Sequence, residues 1–232
     1  MAIEGNIHSN DQLDEDELTP RNSWLLWSAV AIWILIAGIA GFWLGSNRII
    51  SPSDNSPEAS FARDMSFHHA NAVEMALLLR DRTEDETMRF LALDIALTQQ
   101  AQIGQMQGWL NAWRLPISSL QPAMSWMGMP VDGLMLGMAT ADEVNQLSNL
   151  RGVEADITFL NLMIGHHQAG VDMARGVLAQ TDRSEVVQLA QSIVTSQESE
   201  IATMRDILQQ KGDMEDIPEG NMPGMNHSED GS

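Results

Sequence analysis

The stretch MSFHHANAVEMA at residues 65–76 returns as MIGHHQAGVDMA at 163–174, an offset of 98 residues. Phe61 matches Phe159, Met65 matches Met163, His68 and His69 match His166 and His167, and Met75-Ala76 matches Met173-Ala174 at that one offset. The agreement runs on without a gap into the following segment, pairing Ile95 with Ile193, Gln99 with Gln197, Ile103 with Ile201, Met106 with Met204 and Leu110 with Leu208. A gapless match over about fifty positions marks a duplicated supersecondary unit. Each copy exposes one apolar stripe that it cannot bury alone, so the two copies must pack on each other.

The pattern around the repeat is helical and shows no strand-like alternation. Ser56, Pro57 and Glu58 form a helix start, with a capping hydroxyl, a proline at the first turn and an acid favoured by the helix dipole. The first helix is expected over 57–80. Thr83 with Glu86 reads as a capping box for a second helix ending near Trp113, and Pro116 closes the pair. Thr140 with Glu143 caps a short helix over 141–150. A third long helix is expected over 153–180 and a fourth over 183–211, with Gly212 as its stop. The fold class is therefore all-α: a duplicated helical hairpin forming an antiparallel four-helix bundle over 57–211. Its repeats lie at 57–113 and 153–211, joined by a Met-rich loop at 114–152.

Ahead of the bundle, WLLWSAVAIWILIAGIAGFWLG at 24–45 is uncharged throughout, and as a helix it would be roughly 33 Å long, enough for a bilayer core. Trp24, Trp27 and Trp43 stand near its ends, where indole rings favour the interface. It is too long for a cleaved signal peptide, and the preceding segment 1–23 is an acidic tail rather than a basic one. The expectation is one permanent N-terminal transmembrane helix followed by a linker at 46–56. Arg21 and Arg48 nearly balance across it, so charge does not orient it. Ala37, Gly41 and Gly45 offer a small-residue face on which two anchors could pair as a homodimer.

On a helical wheel Phe61, Met65, Ala72, Met75, Ala76 and Leu79 share one sector with His68, while His69 falls at the sector's edge and Glu74 on the far side. By the repeat, His166 faces inward, His167 lies at the edge and Asp172 points away. Each helix thus carries Met, His and His within one turn, a set able to meet an ion without backbone strain. The alternative is a pair of core histidines, each satisfied by a hydrogen bond and copied by the duplication. Two buried imidazoles side by side are costly unless something coordinates them, which favours a metal role. The chain has no cysteine, so thiolate sites and disulfides are excluded. No glutamate stands three residues before a histidine, which excludes the ferritin-type di-iron centre. Imidazole with thioether suits copper, and the thioether also suits silver(I).

Of the 16 methionines, Met124, Met127, Met129, Met135 and Met138 lie in the inter-repeat loop, and Met222 and Met225 accompany His227 in a tail at 212–232. The tail reads as a flexible soft-metal segment. The loop reads either that way or as a hydrophobic lid over one end of the bundle, with Trp126 as its plug. A net charge of −20 repels phosphate backbones and argues against nucleic-acid binding.

The segments FARDMSFHHANAVEMA and FLNLMIGHHQAGVDMA, with ALDIALTQQAQIGQMQGWL and LAQSIVTSQESEIATMRDIL after them, resemble the two halves of domain-of-unknown-function family 305 over about 57–211. The resemblance implies a ferritin-like four-helix fold, a secreted or membrane-anchored bacterial protein, and copper binding as in members linked to copper tolerance. It further implies that His68, His69, His166 and His167, with the flanking Met65, Met75, Met163 and Met173, are the metal ligands. The family commonly has Gln-x-x-Glu-Ile in both halves. Gln197, Glu200 and Ile201 keep it, but Gln102 stands at the first-half position, so the halves are expected to differ in affinity.

Together these readings predict a membrane-anchored, extracytoplasmic, periplasm-facing protein that binds copper or silver for storage, tolerance or delivery. No nucleophile or paired carboxylate is arranged for catalysis. The rival readings are a structural or interaction bundle serving as an accessory subunit of an envelope complex and, more weakly, a metal-dependent oxidase.

Overall fold

A computed structural model of the chain describes residues 23–46 and 51–215. They form two compact units, one within Met1–Ile49 and one within Ile50–Ser232. The first contains α1 (Ser23–Ser46), an unbroken 24-residue helix whose described apolar side chains, among them Trp24, Trp27, Trp33, Ile36 and Phe42, are exposed on every side. Among the described residues no helix is long and apolar enough to cross a membrane; the side chains at 43–46, where the expected interfacial Trp43 and Gly45 of the expected small-residue face stand, lie outside them. The acidic segment before α1 and the tail methionines Met222 and Met225 with His227 also lie outside the described residues.

The second unit is all-helical: α2 (Pro57–Arg80), α3 (Glu86–Ala112), a 3-10 turn (Ser125–Met127), α4 (Ala141–Asn149), α5 (Gly152–Leu178) and α6 (Ser184–Glu215). Among the described residues the sole extended pairing is an isolated bridge between Ala123 and Val131. α2 packs on α3 and α5 on α6, forming the two hairpins, and α2 crosses α5 at the centre. Ser56 caps α2 by accepting from the Ala59 N–H at 3.2 Å. Thr140 caps α4 in a closed box with Glu143, whose carboxylate accepts from the Thr140 N–H at 2.7 Å.

Two expected boundaries are corrected. Asp85, not Thr83, caps α3: its Oδ1 accepts from the Thr87 N–H at 2.8 Å. Thr83 is buried and uses its hydroxyl to accept from the Asp85 N–H at 3.1 Å, so it shapes the turn before the cap. α6 also runs through Gly212 to Glu215 instead of stopping there. The neighbouring Lys211 is 3% exposed and donates to Asp85 and Asp156, each at 2.8 Å, which holds the last turns against α3 and α5 despite the glycine.

The core divides into two buried clusters. One holds Phe61, Met65, Met106, Leu110, Met173, Val177 and Ile193 with the lid residues Met124 and Met135. The other holds Met75, Leu79, Met88, Ile95, Phe159, Met163, Ile201 and Met204. On α2 the first cluster owns Met65 and the second Ala72, and on α5 the second owns Met163 and the first Met173. The paired histidines of each helix therefore fall in the layer between the clusters.

The inter-repeat loop takes the lid form. Asp64 Oδ2 accepts from the Met124 N–H at 2.8 Å and from Trp126 Nε1–H at 2.9 Å, and Trp126 meets Phe61 edge-on at 5.9 Å between ring centroids. Met127 fills the space beside Gly176, while Met129 is exposed.

Candidate metal centre

All four repeat histidines are fully buried. That corrects the expected edge position of His69 and His167: a wheel drawn for one helix omits the neighbour that closes over its rim, here α3 and α6. Gln102 on α3 covers His69, with its Oε1 accepting from His69 Nε2–H at 2.7 Å. Glu200 on α6 covers His167, with its Oε2 accepting from Nε2–H at 2.6 Å. Glu74 and Asp172 are exposed, as the wheel predicts.

The two halves meet at the pseudo-twofold centre. The His68 and His166 rings lie 3.7 Å apart between centroids and tilt by 31°. His166 Nε2–H donates to the His68 carbonyl at 2.8 Å, and His68 Nε2–H donates to the Leu136 carbonyl in the lid at 3.3 Å. His69 stands 6.4 Å from His68, and His167 stands 6.0 Å from His166.

These partners decide the tautomers. A carbonyl or carboxylate oxygen only accepts, so Nε2 carries a hydrogen in each ring, and in a neutral ring Nδ1 then keeps a lone pair. Every one of the four Nδ1 atoms is buried with no partner. The amides of Gln99 and Gln197, one helical turn from Gln102 and Glu200, are also 2% exposed and unpartnered. The Gln197 amide lies against Gly170, where a Cβ would push it aside. Among the described residues nine buried side-chain polar atoms lack partners, and all except Asp156 Oδ1 belong to this histidine–glutamine layer. Buried polar atoms are nearly always satisfied, so such a concentration marks a place built for something else to bond.

Burial favours the neutral form of His68, His69 and His166. It lowers the His68 pKa to about 4 and that of His69 to about 3, and drives His166 well below the usual imidazole value, with the neighbouring imidazoles adding repulsion. Neutral imidazole is the metal-ligating form.

The expected ligand methionines Met65, Met75, Met163 and Met173 are all buried to within 1%. The structure distributes them across the halves, Met65 with Met173 on one side of the layer and Met75 with Met163 on the other. Among the described residues no three His, Asp or Glu side chains are gathered to hold an ion by themselves, so a donor set built on the imidazoles needs thioethers to complete it. The unpartnered Nδ1 atoms of the layer and the thioethers of the clusters on either side of it are donor types that suit a soft metal ion.

The lid backbone closes the layer. Gly137 has φ +78°, and a Cβ there would lie 2.6 Å from Ala169 Cβ and 2.7 Å from the Gly165 carbonyl. Asn71 clamps the next turn, accepting from the Ala139 N–H at 2.8 Å and donating to its carbonyl at 3.2 Å. Gln102, Glu200 and the Leu136 carbonyl are the functional partners that spacing alone did not single out as histidine-binding. The common offset of 98 and the Gln-x-x-Glu-Ile resemblance, kept by Glu200 and broken by Gln102, had paired the two positions without linking them to the histidines.

A bundle of two repeated hairpins around a closed imidazole layer defines the class of protein. The chain belongs to the DUF305 family, Domain of unknown function, whose family model matches residues 58–208. Its fold is similar to that of a putative secreted DUF305 protein from Streptomyces coelicolor, with 49% identity and TM-score 0.66 over 69% of this chain and 96% of that one. It is similar as well to a DUF305 fragment from Deinococcus radiodurans, with 37% identity and TM-score 0.58 over 68% and 99%. A third relative is CopM, solved in a Cu(II)-bound form with 29% identity and TM-score 0.55 over 67% and 97%. CopM is also solved in a Cu(I)-bound form, with 27% identity and TM-score 0.50 over 66% and 96%. No curated protein matches the chain by sequence.

Proposed function

We propose that this chain is a membrane-anchored, extracytoplasmic copper-binding protein that buffers or hands on the ion without catalytic turnover. The observation that carries the reading is the set of four buried, unpartnered Nδ1 lone pairs on His68, His69, His166 and His167. Met65, Met75, Met163 and Met173 supply thioethers on both sides of the layer, and softness extends the reading to silver(I). The copper-bound forms of CopM support it as forms of a relative. The anchor rests on the apolar run at 24–45 and on the exposure of the described α1 side chains all round the helix.

Titration of the detergent-solubilised full chain with Cu(I) and Cu(II), beside a variant with all four histidines changed to Ala, tests the site. Binding by the wild type and its loss in the variant is the expected result. Equal binding by both removes the histidine assignment. Absence of binding by either favours the envelope-subunit reading, and oxygen-consuming turnover of a reductant favours an oxidase. Protease treatment of intact spheroplasts tests the orientation, since a bundle left uncut there faces the cytoplasm.

A further inference from the structure

The two halves of the layer share geometry but differ in charge. His69 and His167 are repeat equivalents, and each donates from Nε2 to a side chain 33 residues onward, at 2.7 Å to Gln102 and 2.6 Å to Glu200. Gln and Glu have nearly the same shape, so the bonding pattern is preserved while one half gains a full negative charge beside its imidazole. The Glu200 side chain is 18% exposed and His167 is fully buried, so water screens the pair little. The other acidic residues on the histidine helices near the layer, Glu74 and Asp172, are exposed to solvent.

An ion held by two imidazoles and a thioether in a buried layer brings its charge into a poorly solvating medium. The self-energy of that charge rises as its square, so a divalent ion costs about four times what a monovalent ion does in the same place. A neutral ligand set is tolerable for Cu(I) and poor for Cu(II). A carboxylate bonded to the ligand imidazole offsets one positive charge and raises the basicity of the ring's other nitrogen.

We propose that Glu200 makes the His166–His167 half the one that retains Cu(II), while Gln102 leaves the His68–His69 half selective for Cu(I). This rests on the copper reading above. Glu200 acts through His167 as a positioning and charge-compensating residue.

The test uses the full chain in detergent and the variants Glu200→Gln, Glu200→Asp and Gln102→Glu. Cu(II) occupancy is read by electron paramagnetic resonance, Cu(I) affinity by competition with a chromophoric chelator, and the midpoint potential of bound copper by redox titration. The wild type is expected to hold one tight Cu(II). Glu200→Gln should weaken Cu(II) about tenfold relative to Cu(I), raising the potential by about 59 mV. Glu200→Asp should restore most of the difference, and Gln102→Glu should add a second tight Cu(II). Circular dichroism checks that each variant is folded, and nitrogen-15 spectra of the metal-free protein should show His167 with its hydrogen on Nε2. A Glu200→Gln variant that weakens both oxidation states alike, or neither, overturns the proposal while leaving copper binding by the histidines intact. Failure of the wild type to bind either ion overturns both readings together.

Discussion

His166 donates its Nε2–H to the main-chain carbonyl of His68, at 2.8 Å, with the two rings 3.7 Å apart between centroids. The duplicated helices thus do more than pack: one copy's ligand candidate is oriented by the backbone of the other copy's. Nδ1 is left free in both, and the halves form one layer. Four consequences can be measured.

Acid should destabilise the metal-free protein well above the usual carboxylate range. His68 and His69 have folded pKa values near 4 and 3 against 6.5 unfolded, so the unfolded chain binds more protons as pH falls below 6.5. Their contribution is therefore fully present above 6.5 and is lost progressively down to the folded values, amounting to about 3 kcal/mol for His68. Urea unfolding between pH 7.5 and 4 measures this. A flat profile from 6.5 to 5 would contradict a neutral, closed layer.

Replacing Met65 or Met163 by Leu separates packing from ligation. Leucine is close in volume, so stability should change by less than about 1.5 kcal/mol. Loss of the thioether should weaken Cu(I) about tenfold, read by chelator competition. Unchanged Cu(I) affinity in both variants would return these methionines to the core alone.

Gly137→Ala should cost about 2–3 kcal/mol, because the residue holds φ +78° and its Cβ would press on Ala169 and on the Gly165 carbonyl beside His166. Gly104→Ala, in the middle of α3 with open space around it, should instead stabilise by about 0.5–1 kcal/mol. Paired urea curves give both signs in one experiment.

Lys211→Met should destabilise by about 2–4 kcal/mol, since it leaves Asp156, 1% exposed, with an uncompensated carboxylate. Adding Asp156→Asn should recover part of that loss. A larger loss in the double variant than in Lys211→Met alone would show that Asp156 is stabilised by something other than the ammonium.

The two ends of the bundle show where the repeat stops being informative. Lys211, Asp85 and Asp156 form an ion cluster at one end, while at the other their equivalents Trp113, Arg183 and Glu58 make different bonds. The Arg183 guanidinium lies 5.3 Å from the Trp113 ring centroid, and Glu58 accepts from the Thr181 hydroxyl at 2.6 Å. No periodicity predicts the first cluster, because its members come from α5, α6 and the cap of α3. The shift of the α3 cap from Thr83 to Asp85 has a related cause. Both residues suit a cap, and burial of Thr83 in the tertiary structure decided between them.

The sequence by itself determined the duplicated hairpin, the near extents of the four long helices, and the inward face carrying His68, His166 and the methionines. These follow from spacing within one element, which a period of 3.6 residues converts directly into a face. Tertiary structure alone decided that His69 and His167 are buried, that Gln102 and Glu200 cover them, and that the Leu136 carbonyl reaches His68. It also decided that every Nδ1 is left without a partner. Those outcomes depend on the register in which one helix or loop lies against another, and register is set by packing between distant segments rather than by the pattern within any one of them.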